Sequence, residues 1–128
     1  MKEIVDTNVF IRYLVVDNKK FFKQAFKWFK EAEAGKRILF VKAVVVAEIC
    51  FVLESVYKKN RKEIASKVSG VLSPSWLEVE DKEIIGYAWK YYEKGGHFVD
   101  SYLLAWSKVH NGNILTFDKN LRKKQTKI

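Results

Sequence analysis

Ile38-Leu39-Phe40-Val41-Lys42-Ala43-Val44-Val45-Val46-Ala47-Glu48-Ile49-Cys50-Phe51-Val52-Leu53 is the stretch on which the fold turns. Its first four residues are a short apolar run and read as a strand. From Ala43 to about Lys59 the chain reads as a helix, so a strand passes directly into a helix. The apolar part of that helix, Ala43 to Leu53, is too short for the roughly 20 residues of a membrane span, and it carries Glu48.

The same alternation extends in both directions. Upstream, Glu3-Ile4-Val5 reads as a strand, followed by Asp6-Thr7-Asn8 and a helix through Val9 to Leu14. Asp17 or Asn18 can cap a helix over about 19 to 34, with Phe22, Phe26 and Phe29 on one face and Lys19, Lys23, Lys27 and Lys30 on another. Gly35 ends it. Downstream, a helix over about 61 to 72 stops at Ser73-Pro74-Ser75, and Trp76 to Val79 reads as a third strand. Helices follow over Asp81 to Glu93 and Val99 to Val109, broken by Gly95-Gly96. Asn113 to Phe117 reads as a fourth strand, and a basic segment closes the chain. Strands alternating with helices indicate an α/β domain with a mostly parallel sheet, in which ligands bind beyond the carboxyl ends of the strands.

The 128 residues suit one domain, spanning 1–128. A net charge of +9, from 24 Lys and Arg against 15 Asp and Glu, suggests a polyanionic partner, or plain solubility. Cys50 is the only cysteine, which excludes an intrachain disulfide and a cysteine-rich zinc site. No basic stretch followed by an apolar one opens the sequence. The expectation is a cytoplasmic protein without a membrane segment.

Four carboxylates stand out. Asp6 and Asp118 directly follow strands, at the edge where this fold class places its sites; each could also be a helix cap. Glu48 has Val44, Val45, Phe51 and Val52 as its helical neighbours. It is therefore a charge held for a purpose, a partner of a lysine, or part of a helix edge that reaches water. Asp100 opens a helix whose next turn is Leu103-Leu104-Ala105-Trp106, where the helix dipole also favours an acid. Gathered together, the four would repel one another unless a cation neutralised them. Oxygen-only ligands suit Mg²⁺ or Mn²⁺, which can activate water and stabilise charge on a phosphodiester. Thr7, Asn8 and Thr116 could orient the carboxylates.

The series Ile4-Val5-Asp6-Thr7-Asn8, Val45-Val46-Ala47-Glu48-Ile49, Phe98-Val99-Asp100-Ser101-Tyr102-Leu103-Leu104-Ala105 and Leu115-Thr116-Phe117-Asp118-Lys119 resembles the PIN-domain nucleases from Lys2 to about Leu121. In size it is most similar to the VapC-type toxins of toxin–antitoxin pairs. The resemblance implies a three-layer α/β/α sandwich with a mostly parallel sheet of four to five strands. It also implies an acidic Mg²⁺ or Mn²⁺ site and hydrolysis of RNA. Asp6 and Asp100 would be the principal metal ligands, Glu48 the third acid, and Asp118 would complete the cluster, with Thr116 and Asn8 in support. A homodimer and a silencing antitoxin are further implications. The chain departs from the family after Asp118, where the last strand is very short or missing.

Lys119, Arg122, Lys123, Lys124 and Lys127 could hold RNA phosphates or form a solvated terminus. His97 and His110 lack metal-ligand spacing, Cys50 reads as core, and no nucleophile elbow or P-loop is present. Three other readings stay open: an RNA-processing nuclease of the same fold without a toxin role, a binder whose acidic cluster accepts a partner's lysine or arginine, and another kind of phosphoryl transfer. The last is disfavoured because no second Asp stands two positions after Asp6.

Overall fold

The computed structural model describes residues 1–127. The chain divides into two compact units, Met1–Glu80 and the residues from Asp81 on. In the first unit the elements are β1 (Lys2–Ile4), α1 (Thr7–Leu14), α2 (Lys19–Glu33), β2 (Ile38–Val41), α3 (Ala43–Ser55), α4 (Arg61–Leu72) and β3 (Leu77–Val79). The second holds α5 (Lys82–Glu93), α6 (Phe98–His110) and α7 (Lys119–Gln125). No described helix is long and apolar enough to cross a membrane.

The strands pair in parallel in the order β1-β2-β3, with Glu3 opposite Leu39 and Leu39 opposite Leu77. Both crossovers step the same way across the sheet. Right-handed connections therefore put both helix pairs on one face. That face is the buried one, carrying Val5, Leu39, Val41 and Leu77. Phe10 and Ile11 of α1, Phe29 of α2, Val46, Ile49 and Cys50 of α3, and Ile64 and Val68 of α4 complete the core. The opposite face keeps Ile4 and Ile38 exposed, and a 3.0 Å ion pair between Lys2 and Glu78 crosses it. Arg37, just ahead of β2, contacts both Glu3 carboxylate oxygens at 2.8 Å and Glu31 at 3.2 Å, tying β1 to the end of α2.

Several local expectations hold for visible physical reasons. Asn18 accepts the Phe21 N–H at 3.0 Å and starts α2, and Asn60 accepts the Glu63 N–H at 2.8 Å and starts α4. Lys19, Lys23, Lys27 and Lys30 form a solvated face, and Cys50 is core. The α3 helix stops at Ser55, short of the expected Lys59. Lys58 turns into the left-handed region at φ 55°, and the Lys59 N–H reaches back to the Leu53 carbonyl at 3.0 Å.

The α/β class with a parallel sheet is as expected, but the count of four to five strands needs correction. Three strands pair among the described residues. Residues 113–117 do not form the fourth, because their polar groups are met by side chains instead of a neighbouring strand. The Ile114 N–H goes to Gln125 at 3.2 Å, Gln125 also donates to Asn113, and Arg122 donates to the Thr116 carbonyl at 2.6 Å. Leu115 and Phe117 are 92% and 103% exposed, so the face they share is not packed as a central strand's would be, while Ile114 and Thr116 are half-buried. The basic segment beyond Asp118 is a short helix, α7, anchored by the buried Leu121. Within the second unit, Ile84, Ile85, Ala88 and Tyr92 of α5 and Phe98, Leu104 and Ala105 of α6 are buried. Trp89, Tyr92 and Phe98 form a ring cluster with centroids 5.4 to 6.2 Å apart.

Candidate active site

The carboxyl edge of the sheet presents one charged residue after each strand. Ile4 pairs with Phe40 and Val41 with Val79, so continuing the register sets Asp6, Lys42 and Glu80 at one level. Asp6 is exposed and caps α1, its Oδ1 accepting the Thr7 N–H at 2.8 Å. The cap reading is thus correct for Asp6, yet it occupies only one carboxylate oxygen.

Thr7 links two of the expected site residues. Buried at the first position of α1, it receives Asp6 at its amide, and its hydroxyl donates to Glu48 Oε1 on α3. Asp6, Thr7 and Glu48 are therefore brought together, and Asn8 lies exposed beside them on the first turn of α1. Glu48 itself reaches water. Two of its apolar neighbours, Val44 and Phe51, are 71% and 67% exposed, so α3 turns an apolar strip outward around the carboxylate. The lysine partner considered for Glu48 is not found among the described residues.

Lys42 and Glu80 belong to the same edge, and sequence reasoning missed both. The Lys42 ammonium lies 2.6 Å from Glu80 Oε2, and Glu80 Oε1 accepts the Ala43 N–H at 2.9 Å, so Glu80 caps a helix that lacks a cap of its own. The Lys42 hydrogen bond, then the Ala43 amide, hold the Glu80 carboxyl below its ordinary value of 4.5. The available signal was their position: each follows a strand directly.

In the second unit, Asp100 is half-buried in the first turn of α6 and makes no hydrogen bond or ion pair among the described residues. Asp118 caps α7, accepting the Asn120 and Leu121 N–H groups at 2.8 and 3.1 Å on Oδ1, while its own N–H donates to Thr116 Oγ1 at 3.0 Å. Thr116 and Asp118 are thus brought together. Lys119, Lys123 and Lys124 are exposed, whereas Arg122 is engaged with the Thr116 carbonyl. His97 and His110 are exposed, and His110 stacks on Trp106 at 4.7 Å.

Among the described residues, no group of three or more His, Cys, Asp or Glu side chains is drawn together to hold a metal ion. The donor chemistry nevertheless fits a hard divalent cation. Asp6 and Glu48 present oxygens only, held by a shared threonine, each with a second oxygen uncommitted and no cation paired to either. Asp100 offers both oxygens.

A family model described as PIN domain matches residues 4–127. Over 99 residues the chain is 31% identical to a VapC ribonuclease of Aquifex aeolicus (strain VF5), covering 77% of this chain and 73% of that protein. No solved structure gives a significant match.

Proposed function

We propose, since the chain belongs to the PIN-domain family, that it is a metal-dependent endoribonuclease acting through Asp6, Glu48, Asp100 and Asp118. The observation that carries this reading is the Asp6–Thr7–Glu48 arrangement, in which a carboxylate at the sheet edge and one on α3 are joined through a threonine, with no cation paired to either among the described residues. Asp6 and Asp100 hold the metal as principal ligands, Glu48 serves as third acid, and Asp118 completes the set. Thr7 fixes the Glu48 carboxylate, while Asn8 and Thr116 support their neighbours.

Mg²⁺ or Mn²⁺, when bound, supplies an activated water and compensates charge at the phosphodiester. The chain's residues orient the ligand oxygens. Hydrolysis of this kind does not use the neighbouring 2′-hydroxyl. The relative from Aquifex aeolicus, a VapC ribonuclease, supports RNA as substrate and the role of toxin with an antitoxin as partner. We further take a homodimer as the working form and the cytoplasm as location.

The test is cleavage of a mixed RNA pool by the purified protein with Mg²⁺ or Mn²⁺, beside Asp100→Asn and a chelator control. Cutting that requires both the metal and Asp100 supports the assignment. Cutting that survives either control overturns it. Absence of metal binding in a calorimetric titration would instead favour a non-catalytic binding module.

A further inference from the structure

Five amines of the second unit converge on one cavity of about 480 Å³: Lys90 and Lys94 from α5, Lys108 from α6, and Lys124 and Lys127 at the end of the chain, with Tyr91 in the wall. We infer that this basin is a binding site for the phosphodiester backbone of single-stranded RNA flanking the cut. The inference rests on the ribonuclease reading for the identity of the polyanion.

None of the five lysines forms an ion pair among the described residues, whereas the salt bridges of the first unit engage most of its acids. Two of the amines instead lie over aromatic rings. Lys90 Nζ lies 5.1 Å from the Tyr91 ring centre, and Lys108 Nζ lies 5.0 Å from that of Tyr87. The neighbouring Lys90 holds the Lys108 amine below its ordinary value.

Five positive charges exceed what one phosphate monoester neutralises, but a run of phosphodiesters matches them charge for charge. Lys108 is eight residues beyond Asp100 on α6, about 12 Å of helix rise. Phosphates in the basin therefore lie several bonds from one at Asp100, and the basin grips flanking chain, not the scissile group.

The experiment measures binding of a fluorescein-labelled, unstructured RNA of about twenty nucleotides to the full chain by fluorescence anisotropy. Chelator is present so that nothing is cut, and salt is varied from about 0.05 to 0.3 M. Counterion release contributes about 0.7 to the logarithmic salt slope per phosphate contact, or roughly fivefold in affinity per contact near 0.1 M salt. Lys90→Ala/Lys108→Ala should bind about 25-fold more weakly, with a slope smaller by about 1.4. Lys94→Ala/Lys127→Ala should do the same, and unchanged circular-dichroism melts would establish that both variants fold.

Unaltered affinity and slope in folded variants would overturn the basin while leaving Asp100-dependent cleavage, and hence the nuclease reading, intact. Stronger basin-dependent binding of polyglutamate than of RNA would overturn it in favour of an acidic protein partner. Basin-dependent RNA binding without metal-dependent cleavage of any RNA would uphold the basin and refute the nuclease reading.

Discussion

Thr7→Val isolates the hydroxyl that joins the two halves of the Asp6–Glu48 arrangement. Valine has nearly the same shape, and the Thr7 amide that Asp6 accepts is retained, so only the O–H to Glu48 is lost. A hydrogen bond to a charged group contributes about 1.5–3 kcal/mol when both partners stay dry. Glu48 is exposed and recovers water, which brings the loss down to about 1 kcal/mol. The methyl that replaces the hydroxyl is buried at a site only 5% exposed and returns up to about 0.8 kcal/mol. The net cost is about 0–1 kcal/mol, a fall in Tm of at most about 4 °C for a chain of this size. Activity should respond very differently, because losing a partner that orients a metal-binding carboxylate costs about 10–100-fold in affinity or rate. Thermal melts and Mn²⁺ titrations of RNA cleavage by wild type, Thr7→Val and Thr7→Ser measure both effects. Thr7→Ser keeps the hydroxyl and should restore most of the rate. Cutting by Thr7→Val within about twofold of wild type at every metal concentration, or equal losses in both variants, would refute the reasoning.

Asp6→Asn keeps a side-chain oxygen for the α1 cap while removing a ligand charge. Cleavage should fall to the metal-free level while stability changes by no more than about 0.5 kcal/mol; a large drop in Tm would show that the loss came from unfolding. The Glu80 carboxyl is held below 4.5, so the stability it contributes is fully present above that value and is lost as the pH falls through the lower, folded value. The Tm of wild type should therefore drop more steeply below about pH 4.5 than that of Glu80→Gln, and parallel curves would contradict the Lys42–Glu80 coupling. At Gly112 a Cβ would come within 2.5 Å of the Trp106 indole, so Gly112→Ala should displace that ring from His110. The cost should be about 1–3 kcal/mol, toward the lower end because Trp106 is part-exposed, and an unchanged tryptophan emission spectrum would count against it.

Much of the first unit was legible because its signals are local. The apolar run at 38–41, the caps Asn18 and Asn60, and the break at Ser73-Pro74-Ser75 each act within a few residues, and the elements fall where those signals put them. Residues 113–117 mislead because Ile114 and Thr116 alternate with Leu115 and Phe117 as a strand would. What diverts them is a set of side chains on α7, which no local pattern discloses. The α7 helix was itself hidden by having a single buried residue, Leu121, although Asp118 announced it as a cap. Asp6 and Glu48 were found from their setting, an acid after a strand and an acid amid valines. The threonine contact between them spans 41 positions and depends on how α1 packs against α3. The Lys42–Glu80 pair escaped notice, and of the lysine basin only Lys124 and Lys127 stood out, because lysines and glutamates are common and only strand pairing and helix packing bring these particular ones together.

The two-oxygen grip of Glu80 on Lys42 and the Ala43 amide makes the third strand part of the mounting of α3. A strand with no catalytic group of its own thus bears mechanically on the helix that presents Glu48. An insertion in the loop at Ser73–Ser75 that shifts β3 by one residue would withdraw Glu80 from that helix and loosen Glu48 from a distance. An equally long insertion at the Lys58–Asn60 turn acts on the opposite end of α3, where Arg61 and Glu54 lie 3.1 Å apart, and leaves the Glu80 grip in place.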